Sequence, residues 1–100
     1  MELLKQKSEF EELIKEGPIV VDFYADWCGP CKMMESIIEE VAEEHKELKF
    51  VKVNTDTFMS IARDYKIMTI PAFKVFEKGK IIKEKTGFMT KDEFEKFIEE

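Results

Sequence analysis

Long apolar runs are absent from the sequence, so we expect neither a membrane span nor a signal peptide. No run approaches the roughly 18 consecutive apolar residues of a membrane span. The N-terminal stretch MELLKQKSEFEEL has no apolar core of the kind that a signal peptide requires. We therefore expect a cytoplasmic protein, in a compartment where structural disulfides are rare.

Basic charge is scarce relative to acidic charge. The chain has 16 Lys and Arg residues and 22 Asp and Glu residues, so its formal net charge is −6. An acidic surface disfavours nucleic acids and anionic membranes as partners. There is no repeat, no linker and no G-x-G-x-x-G motif, so we expect no bound nicotinamide or flavin. One hundred residues, 44% of them hydrophobic, predict a single domain spanning residues 1–100.

Cysteine and histidine are rarer still. The thiols and imidazole that could bind a soft metal are limited to Cys28, Cys31 and His45. A zinc or iron–sulfur site requires about four ligands, so such a metal would have to be shared between two copies of the chain. A purely structural disulfide from Cys28 to Cys31 would close a very short loop and constrain little of the unfolded chain. Near a β-α-β pattern in a cytoplasmic protein, C-x-x-C indicates redox chemistry instead.

Hydrophobic periodicity predicts an α/β protein with a mixed central β-sheet of four or five strands, flanked by helices on both faces. Strands are expected at residues 19–25, 48–54, 72–76 and 80–85, with a very short candidate near Glu2–Leu4. Helices are expected at residues 8–17, at about 30–45, near 55–65 and after Thr90. The first two long strands and the helix between them form a parallel β-α-β unit.

Capping and turn residues set the expected ends of these elements. Ser8 with Glu11, and Thr90 with Glu93, have the spacing of a capping box at a helix N-terminus. Gly79 suits a tight turn between the last two strands.

The two cysteines lie at the junction between the first long strand and the long helix. Cys28 falls at the helix N-terminus, where unpaired N–H groups and the helix dipole favour a thiolate. Cys31 lies one turn further along and is expected to be more buried. Pro30 fits the first helical turn, and Gly29 lets a partner chain approach closely. A mixed disulfide on Cys28 can then be resolved by Cys31 in an intramolecular step.

The stretch VDFYADWCGPCK, followed about forty residues later by TIPAF, resembles the thioredoxin family from about Ile19 to Gly87. The resemblance implies the thioredoxin fold and reduction of disulfides in client proteins. Cys28 would be the nucleophile and Cys31 the resolving thiol. It also implies that the chain carries no cofactor besides its own Cys28–Cys31 disulfide and is recycled by a separate thioredoxin reductase. A monomer is the default expectation, since the sequence leaves the oligomeric state open. The Gly29-Pro30 dipeptide is similar to that of the reducing members.

Asp22 interrupts an otherwise apolar strand, where a carboxylate is costly unless it is satisfied or used. The resemblance implies a buried acid beneath the dithiol that relays a proton to or from Cys31, and burial should raise its pKa. Lys52 lies at the matching position of the next strand and is the natural partner of Asp22. An inward lysine and a lysine that extends to water are equally compatible with the sequence.

The TIPAF segment is the expected substrate site. The resemblance implies a cis bond before Pro71, close to the cysteines, with the Thr69–Ile70 backbone pairing with a substrate peptide. Gly87, Ile70 and Met68 would complete an apolar rim. An ordinary strand-opening proline is the alternative.

Trp27 precedes the nucleophile, and the sequence alone allows either a docking residue or a core residue. The resemblance implies a partly exposed ring beside Cys28, held by Asp26. His45 is expected at the surface, at the C-terminal end of the long helix.

Three positions depart from the family pattern. Ser36 stands where many thioredoxins have a kinking proline, Ala72 where threonine is common after the cis-proline, and Lys74 places a charge inside a strand. The charge at Lys74 suggests a partly open face there. None of these positions changes the redox pair, so the expected reaction class is unaffected.

Three other functions remain compatible with the sequence. The chain could be a binding subunit or chaperone of the same fold with an idle dithiol. It could be a glutathione-dependent reductase, although the acidic composition predicts no basic pocket for the carboxylates of glutathione. It could also be a metal-bridged dimer.

Overall fold

The computed structural model describes all residues from Met1 to Glu100. Five strands and four helices follow one another in the predicted order. They are β1 (Glu2–Leu3), α1 (Lys7–Leu13), β2 (Ile19–Tyr24), α2 (Gly29–Glu44), β3 (Lys49–Asn54), α3 (Met59–Asp64), β4 (Ala72–Glu77), β5 (Lys80–Thr86) and α4 (Lys91–Glu99). None of the helices is both long and apolar enough to span a membrane.

The sheet is mixed and has the strand order β1-β3-β2-β4-β5. Strands β1, β3 and β2 are parallel, whereas β4 runs antiparallel to both β2 and β5. The predicted parallel β2-α2-β3 unit is therefore confirmed. Strand β2 lies in the middle of the sheet and all six of its residues are buried, which explains why its sequence is apolar except for Asp22.

Two apolar layers cover the two faces of the sheet. On one face, α1 and α3 pack through Phe10 and Ile61 against strand residues such as Val21. On the other face, α2 and α4 pack through Met34 and Phe94 in a second cluster. Helices on both faces bury the apolar side chains of alternating strand residues, and this arrangement confirms the predicted layers.

The β4–β5 hairpin turns at Lys78 and Gly79, whose φ values are 53° and 82°. Two consecutive residues with positive φ are the mark of a type I′ turn, in which glycine is favoured. The face at Lys74 is not open as expected, because this residue is only 8% exposed. Its ammonium lies 2.6 Å from Glu84 on the neighbouring strand, and this pairing allows the lysine to be buried.

The predicted capping box of Ser8 and Glu11 is wrong. Helix α1 has Gln6 as its N-cap, without a side-chain cap, and Ser8 lies inside the first turn. The Glu9 carboxylate instead accepts a hydrogen bond from the backbone N–H of Lys5, at 3.2 Å. A donor near the start of the helix is thus satisfied by a different side chain, and the N-cap lies two residues earlier than the predicted Ser8.

The capping box of α4 is confirmed. The Thr90 hydroxyl accepts a hydrogen bond from the Glu93 N–H at 3.2 Å, and the Glu93 carboxylate accepts one from the Thr90 N–H at 2.9 Å. We expect Thr90→Ala to lower the free energy of unfolding by about 1 kcal/mol, because the Glu93 N–H loses its acceptor. Urea denaturation at neutral pH, followed by circular dichroism, measures this change.

Ser8→Ala is the matched control for Thr90→Ala, since Ser8 makes no cap. It should leave the free energy of unfolding within about 0.5 kcal/mol of the parent. Equal losses in the two variants would contradict the structural assignment of the caps.

Candidate active site

The dithiol lies where β2 ends and α2 begins. Cys28 is the N-cap of α2, and its Sγ accepts a hydrogen bond from the backbone N–H of Cys31 at 3.2 Å. The two cysteines form a disulfide with their Cα atoms 5.2 Å apart. Pro30 lies in the first turn, where its missing N–H costs no helical hydrogen bond. The sequence predicted this placement, because the apolar run typical of a buried strand ends just before the C-x-x-C motif and the periodicity typical of a helix begins within the motif.

The two cysteines are almost equally buried: Cys28 is 4% exposed and Cys31 is 3% exposed. Cys31 was expected to be more buried than Cys28, and in the disulfide form the difference between the two is only one percentage point. Both pack in one small cluster with Tyr24 and Ala25, because the disulfide holds the two side chains together. Nothing lies within 4 Å of a Cβ built on Gly29, so the space above this residue is open.

The TIPAF segment lies next to the dithiol. The Ile70–Pro71 peptide bond is cis, as the resemblance implied. Ile70 packs against the cysteine cluster, and the Gly87 N–H donates to the carbonyl of Pro71 at 2.8 Å. Thr69 is exposed, and the backbone groups of Thr69 and Ile70 make no hydrogen bond within the chain. Peptide groups at the surface are thus available beside the disulfide.

Asp22 is 3% exposed, in the centre of β2. In the sheet register it lies between Lys52 of β3 and Phe73 of β4. Its Oδ1 atom has no hydrogen-bond partner. Burial raises the pKa of Asp22 from 3.8 to about 7; Lys52 acts to lower this pKa and Glu35 to raise it. The expected rise of the pKa is confirmed, and the carboxyl can exchange a proton near neutral pH.

Lys52 neither pairs with Asp22 nor extends freely into water, so neither predicted arrangement describes it fully. Its side chain is 21% exposed, and its ammonium lies 4.0 Å from the Glu35 carboxylate and 4.5 Å from the centre of the Tyr24 ring. It makes no ion pair with Asp22, although the two residues are in register. Sequence reasoning missed Glu35. Its position four residues after Cys31 places it on the same side of α2 as the resolving thiol, and this spacing was the available signal.

Trp27 is 72% exposed, in agreement with a ring at the surface. Its Nε1–H donates to the Asp56 carboxylate at 2.9 Å, so the predicted partner Asp26 is wrong. Asp56 lies in the turn that follows β3, and Asn54 accepts the Asp56 N–H at 2.8 Å. The carboxyl ends of the parallel strands β2 and β3 meet at one edge of the sheet, and this brings the two loops together.

Exposed apolar side chains occur near the dithiol and the TIPAF segment. Met68 is 92% exposed, and Phe88, which follows Gly87, is 42% exposed. Gly87 itself has a φ of 91°, a conformation that favours glycine. Met68 and Phe88 are therefore exposed apolar side chains close in sequence to Ile70 and Gly87 of the predicted rim.

His45 lies at the opposite end of α2, about 24 Å from the dithiol by helix length. It is the C-cap of α2, as expected for a residue at the helix end, but its side chain is only 15% exposed and so is more buried than a surface position implies. The ring nitrogens lie 3.3 Å from Glu47, 3.4 Å from Glu99 and 3.9 Å from Glu95, because the ends of α2 and α4 meet here. One possible ligand atom each from His45, Glu95 and Glu99 lie within 4.8 Å of one another. This cluster is remote from Cys28 and Cys31.

A cysteine pair at the start of a helix, placed by the central strand of a mixed sheet beside a cis-proline, defines a thiol–disulfide oxidoreductase. The family model described as Thioredoxin matches residues 2–100. The chain belongs to the thioredoxin family.

Individual relatives agree with this assignment. A thioredoxin of Mycoplasmoides gallisepticum is 39% identical over 99 residues, which are 98% of this chain and 99% of the relative. A Plasmodium falciparum thioredoxin structure superposes with a TM-score of 0.93 at 28% identity, covering 99% of this chain and 97% of that one. Mitochondrial thioredoxin 3 of Saccharomyces cerevisiae, in its oxidized form, gives 0.89 at 33% identity, covering 99% and 93%.

The thioredoxin fold predicted from the sequence is thereby confirmed. The chain is a protein dithiol–disulfide oxidoreductase that works through its C-x-x-C pair, and the predicted function is confirmed at this level. Such a protein reduces disulfides in other proteins and must itself be reduced again by a separate reductase.

Proposed function

We propose that Cys28 is the nucleophile and Cys31 the resolving thiol of a general protein-disulfide reductase. The Cys28 thiolate attacks one sulfur of the client disulfide, forming a mixed disulfide and releasing the other client sulfur as a thiolate. Cys31 then attacks Cys28 and releases the second client thiolate. Two electrons pass to the client, and the chain is left with the Cys28–Cys31 disulfide.

One observation carries this assignment. The N–H of Cys31 points at the Cys28 sulfur, which occupies the N-cap of a 16-residue helix. A hydrogen-bond donor and the positive end of the helix dipole both favour negative charge on Cys28. Cys31 donates this bond from within the helix and has no such stabilisation, so the two thiols have different roles.

Asp22 is the group proposed to accept the Cys31 proton. With a pKa raised to about 7, its carboxyl can take up and release a proton near neutral pH. The cysteine pair follows the end of β2, in which Asp22 is buried. Lys52 is proposed to act on Asp22 by its charge.

Thr69, Ile70 and Pro71 are the proposed binding site for the client chain. The unpaired backbone groups of Thr69–Ile70 can form strand-like hydrogen bonds with an extended peptide. Trp27 supplies an exposed ring next to Cys28 in the sequence, and Gly87, whose N–H donates to the Pro71 carbonyl, is proposed as part of the rim. The open space at Gly29, between the two cysteines, leaves room for the client backbone, and the neighbouring Pro30 is proposed to line it.

We further propose that residues 1–100 act as one domain and as a monomer in the cytoplasm. Support for one domain comes from the sheet, whose strands extend from Glu2 to Thr86. The two cysteines both belong to the redox pair, and this composition suits a reducing compartment. Gly29-Pro30 favours a reducing role in electron transport and redox homeostasis, with a thioredoxin reductase as the electron source.

Insulin reduction tests the proposed function. Catalytic amounts of the protein, with dithiothreitol as the electron source, should accelerate precipitation of the reduced insulin chains. No acceleration over dithiothreitol alone would contradict a general reductase and favour a binding protein with an idle dithiol. Binding of a client to a variant that lacks both cysteines would then distinguish these two functions.

Cys31→Ser should accumulate mixed disulfides, because the variant can attack a client disulfide but cannot resolve the product. Ellman's reagent measures both steps on the reduced protein. The parent should release two thionitrobenzoate ions, one from the attack by Cys28 and one from the resolution by Cys31. Cys31→Ser should release one ion and keep the other as a stable adduct. Release of two ions by the variant would disprove the two-thiol mechanism.

A further inference from the structure

Glu35 lies on α2, about one helical turn after Cys31. Its side chain is half exposed, at 51%, and its Oε1 atom lies 4.0 Å from the Lys52 ammonium. The carboxylate therefore faces the only cation that matches Asp22 in the sheet register. Glu35 has no role in the mechanism proposed above for Cys28, Cys31 and Asp22.

Lys52 is the natural counter-ion of Asp22, because the two residues are register partners on adjacent strands. Nevertheless Lys52 makes no ion pair with Asp22, whose Oδ1 has no hydrogen-bond partner. The lysine ammonium instead lies over the Tyr24 ring, at 4.5 Å from its centre, and within reach of Glu35. An anion and an aromatic face thus both attract the ammonium at a place other than the buried carboxyl.

We propose that Glu35 is a positioning residue for the proton step at Asp22, and that it acts by holding the Lys52 ammonium above the Tyr24 ring so that the buried carboxyl has no cationic partner. This inference rests on the proposed role of Asp22 as proton acceptor. Lys52 is thus paired with the exposed carboxylate of Glu35 and not with the buried one of Asp22.

The groups around Asp22 support a simple electrostatic account. Strand β3 presents Lys52, helix α2 presents Glu35 and the two cysteines, and β4 presents the apolar Phe73. Burial raises the pKa of Tyr24, on the same strand, above its ordinary value; a hydrogen bond with the Asn54 side chain lowers it, and the charges of Asp26, Asp22 and Glu35 raise it. In the disulfide form the cysteines do not titrate.

Two effects of Glu35 have the same sign. Its negative charge directly disfavours ionisation of Asp22, and its attraction for Lys52 keeps the stabilising cation away. In agreement with this, Glu35 raises the pKa of Asp22 whereas Lys52 lowers it. Without Glu35, Asp22 would be ionised at a lower pH and would be a weaker base for the Cys31 proton.

Glu35→Gln tests this inference, because it removes the charge and preserves the size of the side chain. The first measurement is the titration midpoint of the Asp22 carboxyl carbon by NMR on the oxidised protein, in which no thiol titrates. We expect the midpoint to fall by about half a pH unit or more. Glu39→Gln is the matched control, because Glu39 is also exposed on α2 but makes no ion pair with Lys52. In this variant the titration midpoint of Asp22 should not move.

The second measurement is the pH profile of the resolving step, followed as the second phase of thionitrobenzoate release. In Glu35→Gln its midpoint should fall by the same amount as that of Asp22, and Glu35→Asp should restore part of the shift. An Asp22 midpoint that is unchanged or higher in Glu35→Gln would overturn the role of Glu35. A lower Asp22 midpoint with an unchanged resolving profile would instead overturn the proton role of Asp22, and with it any influence of Glu35 on the reaction.

Discussion

Cys28→Ser is expected to reduce insulin no faster than dithiothreitol alone. A serine hydroxyl is hardly ionised at neutral pH and is a far weaker nucleophile towards sulfur than a thiolate. The N-cap geometry that stabilises charge on Cys28 would then stabilise no attacking group. Cys31 cannot replace it, because the helix N-terminus supports charge at the N-cap position rather than one turn further along.

The loss of activity in Cys28→Ser must be separated from a loss of structure. Serine is a favoured N-cap residue, so the variant should keep α2 and its cooperative unfolding transition. Circular dichroism and urea denaturation of the reduced proteins check this point. Reduction of insulin by a folded Cys28→Ser variant at a rate near that of the parent would exclude Cys28 as the attacking thiol.

Asp22→Asn is expected to stabilise the fold and to slow the reaction. The carboxyl has a pKa of about 7 in the folded protein, against 3.8 as its ordinary value. In the unfolded chain it releases its proton at the lower pH, so folding opposes ionisation throughout the interval between these values. Asparagine keeps the shape and carries no charge. Above pH 7 the variant should be more stable by up to about 4 kcal/mol.

How the stability changes with pH follows from the number of protons that Asp22 binds in the folded and in the unfolded state. Between pH 3.8 and about 7 the folded state holds more protons at Asp22 than the unfolded state, so the Asp22 contribution to stability falls as the pH rises. The difference between Asp22→Asn and the parent should be small below pH 4, should grow through this window, and should be constant above it. Urea denaturation at several pH values measures it, and a difference independent of pH would contradict the raised pKa.

The same substitution should slow the attack by Cys31, because no carboxylate remains to accept its proton. The second phase of thionitrobenzoate release should become slower near neutral pH, while the first phase, due to Cys28, changes less. An unchanged second phase across the pH range would remove Asp22 from the mechanism. A buried acid that destabilises the fold and assists the reaction is one form of trade-off between stability and activity.

Much of the fold could be predicted because local signals agreed with one another. The apolar run before Cys28, the amphipathic pattern after it and the capping box at Thr90 each specify one kind of element, and their order requires a parallel β-α-β unit. The Ser8 box failed because a spacing match does not reveal which side chain reaches the free N–H groups. At α1 that side chain was Glu9, which bonds to Lys5.

The errors at the active site have a common origin. Asp56 and Glu35 are separated in the sequence from Trp27 and Lys52, the residues that they contact. The predicted partner of Trp27, Asp26, is its neighbour in the sequence, whereas the observed partner, Asp56, comes from the loop after the next parallel strand. Lys74 was expected to open one face, but a cross-strand glutamate on β5 pairs with it.

The sequence by itself determined the reaction class, the order of the elements and the position of the thiols at the start of a helix. These properties depend on neighbouring residues and on repeating patterns, which are local along the chain. Only the tertiary structure decided which charges surround Asp22, where the Lys52 ammonium lies and which carboxylate holds Trp27. Those contacts join residues from different strands, loops and helices, and their distances are set by the packing of the whole sheet and its two layers of helices.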